Sequence, residues 1–97
     1  MPYILELHKV EDYDKWQEVF DKDNANREAS GSRGARIFRS IDDPADLVIL
    51  FEWDSLEKAR QRIQSDALRQ KFQQAGVSGG VEQTKFYFLE EVGRAGA

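Results

Sequence analysis

Leu47-Val48-Ile49-Leu50-Phe51 is the stretch on which the fold turns. A strand with one wet face alternates apolar and polar residues, and this one does not. Phe86-Tyr87-Phe88-Leu89 has the same character. Both segments read as strands that are apolar on two faces, of which a single layer of helices covers only one.

Outward from these strands the chain reads as βαββαβ. A first strand runs from Tyr3 to Val10, with Tyr3, Leu5 and Leu7 on one face and Ile4, Glu6 and His8 on the other. Asp12 is a helix N-cap, and Tyr13, Trp16, Phe20 and Arg27 recur at helical spacing, predicting one helix from Asp12 to Glu28 that stops at Gly31. Ser30 to Gly34 reads as a loop. Ala35 to Ser40 and Leu47 to Trp53 form a hairpin around the turn signal Asp43-Pro44-Ala45-Asp46. Asp54 is expected to cap the next helix, answered by Glu57. Ser65-Asp66 starts a further short helix that ends at Gly76, and a loop through Ser78-Gly79-Gly80 leads to a last strand from Thr84 to Val92. Residues 1–92 form one domain, and Gly93 to Ala97 a flexible tail.

Helices on one face of a four-stranded antiparallel sheet define a ferredoxin-like α+β fold. The other face then needs a cover. A second copy of the sheet supplies one, making a homodimer in the form of a dimeric α/β barrel with twofold symmetry. The alternative is a monomer with scattered exposed apolar residues.

Composition narrows the function. The 97 residues carry 14 Lys+Arg against 18 Asp+Glu, a net charge of -4, which argues against a nucleic-acid surface. There is no Cys and one His, so neither a disulfide framework nor a Cys-ligated zinc is expected. No apolar run is long enough to span a membrane, and Met1-Pro2-Tyr3 does not begin a signal peptide, so a cytoplasmic location is expected. Gly31-Ser32-Arg33-Gly34 follows a helix, whereas phosphate-cradling glycine loops precede one.

The string His8-Lys9-Val10, then Asp12-Tyr13 and Trp16, resembles small dimeric α/β-barrel proteins of the antibiotic biosynthesis monooxygenase type. So do Phe38-Arg39-Ser40, Asp42-Asp43-Pro44, Phe51-Glu52-Trp53-Asp54-Ser55-Leu56, Ala75-Gly76-Val77 and Phe88-Leu89-Glu90-Glu91-Val92. The likeness runs from Tyr3 to Val92. It departs at Ser78-Gly79-Gly80-Val81, where relatives carry a proline. It implies a cofactor-independent monooxygenase, or a related enzyme, that acts on a small hydrophobic aromatic or polyketide-like compound without flavin or metal. The alternative is a non-catalytic barrel that holds a small hydrophobic ligand. Haem degradation is not implied, because the helix after Ser65-Asp66 has no His and carries Phe72 instead.

Strand parity assigns Leu5 and Leu7 to the helices, which directs Glu6 and His8 toward the barrel interior. His8 is the candidate catalytic base, a neutral imidazole able to accept a proton from a phenol or enol; the other reading is a histidine that serves structure only. Glu6 either orients His8 through water or pairs with Arg36 or Arg39 across the sheet. Arg36 is also a candidate for an acidic substrate group. Phe38, Trp53 and Tyr87 are candidates to stack on substrate rings, with core or dimer packing as the alternative for each. The resemblance favours Trp53 near the pocket.

Overall fold

The structure, a computed structural model, describes residues 1–97. Its elements are β1 (Tyr3–Lys9), α1 (Tyr13–Lys22), α2 (Asn24–Ser30), β2 (Ser32–Arg39), β3 (Asp46–Trp53), α3 (Leu56–Ile63), α4 (Asp66–Ala75), α5 (Gly80–Gln83) and β4 (Lys85–Leu89). The strands form one antiparallel sheet in the order β2-β3-β1-β4, with the helices on one face. This is the ferredoxin-like α+β arrangement expected from the element order.

Several local signals act as expected. Asp12 caps α1, accepting from the backbone N–H groups of Asp14 and Lys15. Gly31 and Gly76 end α2 and α4 in the left-handed conformation at φ 119° and 72°. Ser65 caps α4 through the N–H of Leu68. Asp43 closes the β2–β3 turn: its carbonyl accepts from Asp46 N–H at 3.0 Å and its carboxylate from Ala45 N–H at 3.0 Å.

Elsewhere the structure corrects the sequence reading. The helix expected from Asp12 to Glu28 is broken at Asp23 into α1 and α2. The cap of α3 is Ser55, whose Oγ accepts from Lys58 N–H at 3.2 Å, and not Asp54, which is taken up by Arg33 and Lys58. β2 begins at Ser32, inside the expected loop, with a register shift between Ser32 and Gly34. The expected loop after Gly76 contains the one-turn α5, and β4 ends at Leu89, short of Val92.

The largest correction concerns parity. Ile4, Glu6 and His8 face the helices, and Tyr3, Leu5 and Leu7 face the open side. Register explains it. Leu5 lies opposite Leu50 and Leu7 opposite Val48, while Ile4 and Glu6 lie opposite Phe51 and Ile49 and His8 opposite Leu47. The three β3 residues in the second set are core residues. With both faces apolar, β3 offers no parity signal, so the polar residues of β1 were assigned to the wrong side.

Candidate functional site

β1 lies between β3 and β4, so its helix-facing residues stand under the middle of the helical layer. There a cavity of about 60 Å³ separates sheet from helices. That is room for about two water molecules at liquid density. Six aromatic rings line it: Trp16 and Phe20 from α1, Phe51 and Trp53 from β3, Phe72 from α4 and Phe86 from β4. Among them stand six polar side chains: Glu6, His8, Asp23, Arg27, Arg62 and Lys71.

His8 is buried edge-on against two rings, with centroids 6.0 Å from Trp16 and 5.3 Å from Phe72. Neither Nδ1 nor Nε2 has a hydrogen-bond partner. Burial pulls its pKa down to about 4, so the imidazole is neutral at pH 7. Glu6 is also buried, and burial pushes its carboxyl up to about 8, with the positive charges of Arg27 and Arg62 offsetting only part of that rise. No hydrogen bond joins Glu6 to His8. Two residues along one strand face are about 7 Å apart, which agrees with that.

A second polar group is built on the helix break. Asp23, between α1 and α2, is buried and pairs through Oδ2 with Nη2 of Arg62 on α3. Arg27 lies one turn on, 4.0 Å from the same oxygen. It donates to the Phe20 carbonyl at 2.6 Å and stacks over the Phe20 ring at 3.6 Å. Burial lowers the Arg27 pKa. The Nε of Arg62 is buried and has no acceptor.

The structure therefore brings together three of the six sequence candidates, His8, Glu6 and Trp53. Arg36, Phe38 and Tyr87 are on the opposite, open face of the sheet, where Phe38 and Tyr87 are 45% and 47% exposed. Arg36 and Phe38 pair there with Leu50 and Val48. Neither Arg36 nor Arg39 meets Glu6; Arg39 lies over the Tyr13 ring at 5.1 Å, and Arg27 and Arg62 are the cations whose field reaches the carboxyl. Asp23, Arg62 and Lys71 were not singled out in the sequence. Arg27 was visible as a cation on an otherwise apolar helical stripe. Arg62 and Lys71 carried no such signal, because both sit on helices rich in exposed charge.

Fold and site together define an α+β protein with a small aromatic cavity between its helices and its sheet. Its fold is similar to that of solved proteins described as antibiotic biosynthesis monooxygenases. One such protein from Bordetella bronchiseptica superposes with a TM-score of 0.74 at 14% identity, over 94% of this chain and 96% of that one. Another from Caulobacter crescentus gives 0.71 at 15%, over 95% and 90%. SnoaB from Streptomyces nogalater, a cofactor-independent oxygenase, gives 0.71 at 10%, over 99% and 96%. At these identities the likeness is one of fold. No protein-family model and no curated protein matches the sequence.

Proposed function

We propose that this protein is a cofactor-independent oxygenase for a small, hydrophobic, aromatic or polyketide-like phenol or enol, bound in the cavity over β1. The observation that carries this reading is the pair Glu6 and His8, two buried titratable side chains on one strand, lining a cavity walled by aromatic rings. The fold shared with a cofactor-independent oxygenase supports it.

In such a reaction the substrate supplies the electrons. Removing its hydroxyl proton makes an anion rich enough to reduce O2, and a dry cavity protects that anion from reprotonation by water. The catalytic role first given to His8 passes in part to Glu6. A base works best with a pKa near the working pH, which favours a group near 8 over one near 4. Glu6 receives the proton. His8, held neutral, offers one N–H donor and one acceptor nitrogen to the substrate oxygen. Trp53, Trp16 and Phe72 stack on the ring system. The cavity is smaller than an aromatic substrate, so binding one requires lining side chains to move outward.

The same reading takes the active unit as a homodimer, joined through the open face of the sheet. Leu5, Leu7, Val48, Leu50, Phe38 and Tyr87 lie together there, and no helix covers them.

Oxygen uptake with a polycyclic quinol provides the test. Wild type should consume O2 above the uncatalysed rate, with kcat/KM rising toward pH 8 as Glu6 ionises. Glu6→Gln should lower kcat by about 10²–10⁴, while His8→Phe should mainly raise KM. Uptake by Glu6→Gln equal to wild type removes the proposed base. Tight binding without any uptake leaves a non-catalytic ligand-binding barrel protein.

A further inference from the structure

Three cationic side chains, Arg27, Arg62 and Lys71, line the cavity against two carboxyls, Glu6 and Asp23. The cavity thus carries an excess of positive charge inside a chain whose net charge is -4. Asp23 is spent, since its Oδ2 accepts from Arg62, its Oδ1 accepts from Asn26 Nδ2 at 2.8 Å, and Arg27 lies 4.0 Å away as an ion pair. Arg27 is engaged by the Phe20 carbonyl, Asn24 Oδ1 and the Phe20 ring, and none of its nitrogens is both buried and without a partner. Arg62 differs. Its side chain is 9% exposed, it borders the cavity, and its Nε–H meets no acceptor. Its charge is balanced by Asp23, but a buried N–H of a guanidinium left without an acceptor still costs the free energy of its lost hydration, and native proteins leave few such groups unpaired.

We infer that the ligand of this cavity is an aromatic carboxylate, whose charged oxygen takes the free Nε–H of Arg62 while its ring stacks among Trp16, Trp53 and Phe72. This rests on the cavity's being a ligand site, as proposed above, and adds the chemical class of what enters it. A guanidinium in a low-dielectric pocket binds carboxylates through charge-assisted hydrogen bonds, which an uncharged amide cannot match. Glu6 fits the same picture. In its neutral form it adds no negative charge to the cavity and tolerates a second carboxylate there, and once ionised it weakens the binding of one. The charged and titratable groups around it are Arg27 of α2, Arg62 of α3, Asp23 between α1 and α2, Lys71 of α4 and His8 on its own strand. Of these, the two arginines act on it most strongly after burial itself.

The chain contains two tryptophans and both line the cavity, so their fluorescence reports occupancy directly. Benzoate and benzamide, equal in shape and different in charge, are the probes. Wild type should bind benzoate at least tenfold more tightly than benzamide at pH 7, and that preference should fall as the pH passes 8. Arg62→Met should erase the preference while benzamide binding persists. Glu6→Gln should keep the preference and lose its pH dependence. Equal affinity for the two probes in wild type, or tighter binding of benzamide, overturns the inference whether or not the variants fold. So does a failure of both probes to bind. Oxygen uptake separates the two proposals. Equal probe affinities with quinol turnover defeat the carboxylate class and leave the oxygenase standing; a benzoate preference with no turnover does the reverse.

Discussion

Glu6 and His8 stand two residues apart on β1, and burial moves their proton affinities in opposite directions, up to about 8 and down to about 4. Each shift is also a statement about stability. The folded protein holds a proton on Glu6 between pH 4.5 and 8 that the unfolded chain has released, so stability falls as pH rises through that window. For His8 the unfolded chain holds the extra proton between pH 4 and 6.5, so stability rises with pH there. The slopes oppose one another from 4.5 to 6.5, and only the Glu6 slope remains above. Urea denaturation should therefore show a plateau up to about pH 6.5 and a decline toward 8, of at most about 1.4 kcal/mol per pH unit. Glu6→Gln should remove the decline. Exposed carboxylates held low by surface partners, such as Glu18 and Asp43, release their contribution only at more acid pH and leave this window untouched. A wild type that grows more stable from pH 6.5 to 8 contradicts the assignment. In the sequence, Leu5 and Leu7 claim the helix face of β1 and send Glu6 and His8 to the other; in the structure the leucines take the open face and the two titratable groups lie under the helices.

At the scale of elements, the helix boundaries that local chemistry decides were legible: Asp12 and Ser65 as N-caps, Gly31 and Gly76 as left-handed stops. Boundaries decided by distant partners were not. Asp23 breaks the first helix because its carboxylate is held by Arg62, 39 positions away, and by Asn26 Nδ2 at 2.8 Å. Asp54 and Ser55 compete for one cap in the sequence, and only the β2 arginine Arg33, which draws Asp54 aside, decides for Ser55. Ser55→Ala should accordingly lower stability by about 1 kcal/mol, the usual cost of a lost cap. Asp54→Ala should cost less, since its N–H bond to the Gly31 carbonyl at 2.8 Å survives. Thermal midpoints of the two variants check the order, and a larger drop for Asp54→Ala contradicts it.

For the whole molecule, the run Leu47 to Phe51 was read correctly as apolar on both faces, and the structure divides it between two surroundings. Ile49 and Phe51 belong to the helix-side core, whereas Val48 and Leu50 lie on the open face. Ile49→Asp should therefore unfold the chain. Leu50→Asp should leave it folded but monomeric at 11.2 kDa by light scattering, where wild type should be twice that mass. An open face of this kind suits an interface of about 1,500–3,000 Å² in total; a monomeric wild type at micromolar concentration contradicts it. The sheet's two rims behave differently from its face. One is β2, kinked at Ser32/Gly34 and carrying Arg33, Arg36 and Arg39; the other is β4, only five residues long. A bent, positively charged margin and a short one are poor templates for a further strand. In the folded chain, therefore, neither margin offers a long, flat ladder of free backbone groups on which strand-upon-strand growth of filaments could start.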